Sequence, residues 1–420
     1  GGILMLLIGA GLHINGRLSG SGLASETNAV LVSYAFSMSL LLGFVSDHTD
    51  STWGDYLCTA AGVISVLVMI AILANHLLTL GRRTNAMMPS QWLIIGGLAL
   101  PLIMCAVDFV LDLHDAVLES MEILPMLASG LAVALYVAPF AAGTPLWSRT
   151  LAGTTVFMTF VTLSPIGIEG EAHTSMADTA MLTVLFAASI VPILAAAGNV
   201  LQTTRSNWGK ASSNPAATAV LIGMIMTVGS AIGHLFVGSD AHSVGEIQHL
   251  STSMNMLFLW GGMGMIAWGG VISCFPSASG RSFDSDETSR TTMWLVGGGT
   301  TLAFLFTMGS SMVTAAYDAA AAANDGIDPE LIDMSATATL DVLASIAFYA
   351  VTMASIFMMI NMIRGNFSGS PLGTDEPTAQ SANRIALTPG STTIRQLIAA
   401  GAGPDTEIDV ISDDWDDEEE

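Results

Sequence analysis

Long apolar runs separated by short polar breaks occupy most of the chain, and within each run the apolar positions are continuous rather than alternating. A run of about 20 residues is what a helix needs to cross a bilayer core. A barrel strand would show a period of two instead, and in hydrocarbon only helices and closed barrels satisfy their own backbone. The pattern therefore predicts an all-α polytopic membrane protein with about 11 transmembrane helices. They fall near 2–15, 29–46, 56–80, 91–112, 119–140, 148–168, 179–201, 216–237, 250–275, 292–316 and 338–363.

The polar breaks sort by charge. Arg17, the pair Arg82 and Arg83, Arg149, Arg205 with Lys210, Arg281 with Arg290, and Arg364, Arg384 and Arg395 all fall in breaks on one side of the bundle. Breaks such as "SDHTDSTWGDY", "EGEAHTSMAD" and "VGSDAHSVGEIQ" on the other side carry acids and no Lys or Arg. Positive charge stays cytoplasmic, so the basic side is expected inside the cell membrane, with the start of the chain outside and the tail inside. Residues 1–364 are expected to form the bundle. Residues 365–420 are expected to form an acidic, largely disordered cytoplasmic tail, ending "DVISDDWDDEEE", with "TTIRQLIAAG" as a short surface helix. No internal repeat is read from the sequence.

Composition sharpens this picture. The chain is 52% hydrophobic and 11% charged, against about 25% charged in soluble domains. A net charge of -24, with one lysine (Lys210), fits a salt-rich habitat and argues against nucleic acid as a partner. Cys58, Cys105 and Cys274 sit far apart in apolar runs, without zinc or disulfide spacing. No signal-peptide pattern is read at the start.

Ionisable groups inside apolar runs are costly and mark candidate sites. They are His76 in "LANHLLTL", His234 in "SAIGHLFVG", and Asp108, Glu122 and Asp341 near the outer ends of their runs. Such groups either reach the interface or pair between helices, or they line a proton or cation path, which would make the protein a coupled transporter. Pro101, Pro125, Pro165 and Pro192 interrupt runs and predict four kinks around shaped internal space. No Ser-His-Asp set, phosphate loop or metal-ligand cluster is legible.

Several segments, in order, resemble subunit I of the haem-copper oxidases, the core of cytochrome c oxidase, from about residue 2 to 364. They are "STWGDY" (51–56), "ANHLLTLGRRTNAMMPSQWLIIGGLALP" (74–101), "GTPLWSRTLA" (143–152), "ADTAMLTVLFAASIVP" (177–192), "NPAATAVLIGMIMTVGSAIGHLFVGSD" (214–240) and "CFPSASGR" (274–281). The last resembles the family's Trp-Phe-Pro-x-x-x-Gly turn. The resemblance implies that the spans correspond to family helices 2–12, with the first family helix lacking.

The departures fall at the metal ligands. By the resemblance, the family's His-x-His for two haem irons falls on Met254 and Met256. The histidine completing the low-spin haem would precede Gly1. The paired copper histidines fall near Gly167 and Ile168, the remaining copper histidine and its linked tyrosine near Ala116 and Ser120, and the proton-channel lysine on Ala196. Thioether sulfur can hold haem iron, normally opposite a histidine, or it can fill vacated space as a flexible apolar group. The second is the expectation here: no cofactor, and a metal-lacking subunit with a structural or accessory part in a respiratory complex, among other membrane subunits and lipid. One alternative is an active terminal oxidase or NO-reductase-like enzyme holding haem through rearranged ligands, with His114, His173, His234 and His249 as candidates. The other is the proton- or cation-coupled transporter.

Overall fold

The computed structural model describes residues 1–49, 52–166, 179–237, 244–323 and 335–371. Among them there is no strand, and ten helices are long and apolar enough to cross a membrane. The first four are α1 (Gly2–Ser19), α2 (Glu26–Asp47), α3 (Thr52–Gly81) and α4 (Pro89–Leu111). Next come α5 (Asp115–Ala142) and the shorter α6 (Arg149–Val161). The seventh span is broken at Ser189 into α7 (Ala180–Ala188) and α8 (Ile190–Ser206), and the short α9 (Trp208–Ser213) leads to α10 (Pro215–Val237). The ninth span joins α11 (Val244–Met256) to α12 (Met265–Ser279) through a π-helical stretch, Leu257–Gly264. The hairpin of α13 (Asp286–Ala323) and α14 (Ser335–Ser368) completes the bundle.

The sixth predicted span, 148–168, is corrected. Its helix stops at Val161 and rises about 20 Å, short of a bilayer core of about 30 Å. Thr162 turns extended, and Pro165, which lacks an N–H and disfavours helix in the residue before it, blocks continuation. The predicted kinks divide. Pro192 lies just past the break at Ser189, whereas α4 runs through Pro101 and α5 through both Pro125 and Pro139. The last helix continues to Ser368, beyond the expected bundle end at 364. The remaining tail, with its expected surface helix, lies outside the described residues.

Three spans form the centre. The ninth span, α5 and α1 are 78%, 83% and 56% buried, against 17–44% for the other candidate spans. The buried spans are the first, fifth and ninth, one in every four. Lipid is as apolar as leucine, so tight packing rather than water exclusion holds such helices together, and small residues allow it. A methyl group on Gly97 would stand 2.6 Å from the Ala128 Cβ, and one on Gly223 2.8 Å from the Gly262 carbonyl oxygen. A methyl group on Gly269 would stand 2.9 Å from the Ala216 carbonyl oxygen.

The spacing of four reflects an internal repeat that the sequence reading missed. The central helices α1, α5 and α12 each end in a glycine in the left-handed region, Gly20 (φ 70°), Gly143 (φ 66°) and Gly280 (φ 69°). Only glycine adopts that conformation freely. Five residues after each glycine stands a serine: Ser25, Ser148 and Ser285. Its hydroxyl accepts from the backbone N–H three residues on, at Asn28, Leu151 and Thr288, and so caps the next helix. The backbone of each serine is then clasped by an asparagine of the following span. Asn75, Asn199 and Asn361 each accept from the serine N–H (3.2, 3.1 and 3.0 Å) and donate to its carbonyl (2.9, 2.8 and 2.9 Å). Thr79 and Thr203, one turn beyond their asparagines, accept from the residue before the serine. All three clasps lie at the end of the bundle that carries Arg17, Arg82, Arg149, Lys210, Arg281 and Arg364.

Candidate functional site

Met254 and Met256 sit on the last turn of α11, just before the π-helical stretch. Two residues apart on a helix, they point to opposite sides. The Met254 sulfur packs directly on Gly233 of α10, and Met254 itself is buried. Met256 faces α13, where the Thr307 hydroxyl donates to its sulfur at 3.7 Å. Each thioether therefore touches a neighbouring helix, Met254 against α10 and Met256 against α13.

His234 lies one turn beyond Ser230 on α10, against Met254 and Asn255. Its Nδ1 is 2.9 Å from the Ser230 carbonyl, which can only accept, so Nδ1 carries the proton. Such a bond commonly orients a metal-binding imidazole. Nε2 lies 2.9 Å from the Asn255 side-chain oxygen as placed; with Nδ1 protonated Nε2 is an acceptor, so a hydrogen bond here has the Asn255 amide turned to present its Nδ2. The Ser230 hydroxyl donates to the Met254 carbonyl (2.8 Å), and Ser253 pairs with Ser311 of α13 (3.0 Å). The cluster ties α10, α11 and α13 together through buried polar groups.

A second buried cluster joins α1, α3 and α4 near the basic end. The Met88 N–H donates to Gln91 Oε1 (3.0 Å), which fixes Gln91 Nε2 as a donor to Asn15 Oδ1 (2.8 Å). Asn15 Nδ2 then donates to His76 Nδ1 (3.0 Å) and to the His76 carbonyl (3.2 Å). This relay of fixed amides makes His76 Nδ1 an acceptor and places the ring proton on Nε2, a buried atom without a hydrogen-bond partner among the described residues. The sequence reading singled out His76 but missed Asn15, Ser19 and Gln91. Uncharged amides raise no flag by charge, and their partners come from helices far apart in the chain.

The other candidates do not converge. Asp108 is half-buried near the end of α4, where its carboxylate accepts from the Leu113 N–H (2.9 Å). Glu122 on α5 and Asp341 on α14 are exposed, and α14 packs chiefly against α13 while α4 packs against α5. Asp108, Glu122 and Asp341 share no hydrogen bond among the described residues. His114 caps α5, its Nδ1 accepting from the Ala116 N–H (3.2 Å). His249 lies on α11, but its side chain is outside the described residues, as are His173, Gly167 and Ile168. No group of three or more His, Cys, Asp or Glu able to hold a metal ion occurs among the described residues.

In comparisons with known proteins, the chain matches no family model and no curated sequence.

Proposed function

We propose that the chain is a metal-lacking relative of haem-copper oxidase subunit I, serving as a structural or accessory membrane subunit of a respiratory complex. The observation that carries this reading is the seat of the two methionines. At the positions the resemblance gives to haem ligands, Met254 closes on Gly233 and Met256 on Thr307. Methionine suits that part because its flexible, polarizable side chain fills irregular apolar space. Beside this seat, His234 donates Nδ1–H to the Ser230 carbonyl and turns Nε2 to the Asn255 side chain. The basic end, with Arg17, Arg82, Arg149 and Arg281, is the cytoplasmic end in this reading.

The test is a visible spectrum of the protein purified in mild detergent from its own membrane, with co-purifying subunits identified by mass. The expected result is no Soret band attributable to this chain and recovery together with respiratory-chain subunits. Stoichiometric haem, or recovery free of any respiratory subunit, refutes the reading.

A further inference from the structure

We propose that residues 405–420 of this chain dock on a cluster of three cations, Arg17, Lys210 and Arg281, at the centre of the basic end. The contact is independent of the function proposed above. It follows from where the fold puts these cations and where the chain leaves the bundle.

The central helices α1, α5 and α12 pack on one another, and a cation stands at the left-handed glycine that ends each of them. Arg17 lies on the last turn of α1, three residues before Gly20. Lys210 comes from α9, and its ammonium lies over the end of α5, where a methyl group on Gly143 would stand 2.7 Å from Nζ. Arg281 directly follows Gly280 at the end of α12. Packed helices lie about 8–10 Å apart, so three positive charges share one small area. Among the described residues none of the three is bonded to a carboxylate. Arg17 donates to the Ser277 carbonyl (3.4 Å) and Arg281 to the Gly369 carbonyl (2.9 Å). Each helix end carries about half a negative charge, which offsets roughly half of the three and leaves the cluster positive. Arg17 and Arg281 are half-buried, so salt screens them less than surface charges.

The chain leaves the bundle beside this cluster. Ser282 donates its N–H to the Ser370 carbonyl (2.9 Å), and Pro371 pairs with Arg281 through the backbone. Residues 372–404 are balanced in charge, Asp375 and Glu376 against Arg384 and Arg395. Residues 405–420, "DTEIDVISDDWDDEEE", hold ten acids and no Lys or Arg. The 33 residues between can stretch to ~110 Å, ample for a return to Arg281. A tether of this kind holds the acids at an effective concentration on the order of 1 mM. Lipid headgroups and a second copy are the competing sources of negative charge. Headgroups ring the bundle, whereas the cluster stands at the ends of its three most buried spans. A second copy has no tether to this cluster. Charge complementarity and the exit of the chain therefore both favour the segment of the same chain.

Lys210 is the one lysine of the chain, so every lysine–carboxylate crosslink made by a carbodiimide reports on this cluster. The full chain is treated in vesicles of its own membrane, at about 0.1 M and about 1 M salt, where the screening length is about 10 Å and about 3 Å. The expected product joins Lys210 to a carboxylate of residues 405–420. Its yield should fall severalfold at the higher salt and in Arg17→Gln, while Arg290→Gln, at an exposed cation on α13, leaves it in place. Copies grown in light and heavy nitrogen and mixed in detergent should give joined peptides of a single isotope. No product, a product only with carboxylates of residues 1–371, or joined peptides of mixed isotope overturns the proposal. So does a yield that the higher salt does not lower, which decides the matter even where Arg17→Gln fails to fold. A product that forms in detergent but not in vesicles assigns the cluster to lipid headgroups and overturns it as well.

Discussion

Replacing Asn199 by alanine tests the clasp most directly. The side chain is fully buried and makes two bonds to one residue, accepting from the Ser148 N–H at 3.1 Å and donating to its carbonyl at 2.8 Å. A typical internal hydrogen bond contributes about 0.5–1.5 kcal/mol net, and a buried backbone group left without a partner costs about 1–3 kcal/mol. Ser148 sits at the helix entry, where some water can reach, so we place the loss for Asn199→Ala at about 2–4 kcal/mol. Asn199→Asp should be worse. It turns the donor facing the Ser148 carbonyl into an acceptor and leaves a buried charge without a partner. Ser148→Ala removes only the cap to Leu151 and should cost about 1 kcal/mol. Asn75→Ala and Asn361→Ala should fall in the same range as Asn199→Ala, because their serine contacts are the same. The assay is reversible unfolding in mixed micelles, followed by far-UV circular dichroism with increasing SDS. A loss below about 0.5 kcal/mol at Asn199, the range of ordinary surface changes, refutes the clasp as a stabilising unit.

Three further outcomes follow from the packing. Gly223→Ala forces a methyl group against the Gly262 carbonyl oxygen, backbone that cannot swing aside, and should cost about 1–3 kcal/mol; Gly298→Ala, into open space, should be neutral or slightly stabilising in the same SDS titration. Met254→Ala should open a cavity beside Gly233 and cost about 2–5 kcal/mol, with Met254→Leu recovering most of it in thermal unfolding. His114→Ala should cost about 1 kcal/mol through the lost cap on α5, measured by the same unfolding, with His114→Asn restoring it; a variant that instead loses a cofactor signal would contradict a capping role.

The chain by itself determined the coarse architecture. Continuous apolar runs of bilayer length dictate helices because lipid offers no partner to a backbone group, and ten such helices are present. The sequence also sorts the arginines into alternate breaks, and Arg17, Arg82, Arg149, Arg281 and Arg364 lie at the clasped end of the bundle. The sixth span was misjudged because hydropathy counts apolar residues, while Thr162 and Pro165 end the helix through backbone geometry. The candidate site was legible only in pieces. His76, His234 and Met254 stood out by residue type, yet Asn15, Gln91 and Asn255, which fix their hydrogen bonding, are uncharged and give no signal in a single sequence.

Only the tertiary structure decided which helices are central. α2 and α5 are similarly apolar runs, yet one is 17% buried and the other 83%. In water a buried helix face differs in polarity from an exposed one, but in a bilayer both lipid and neighbouring helices are apolar, so composition cannot separate them. The repeat was hidden for a related reason. Its carriers are one glycine, one serine and an asparagine 50, 51 or 76 positions further on, and only folding brings them together at one end of the bundle.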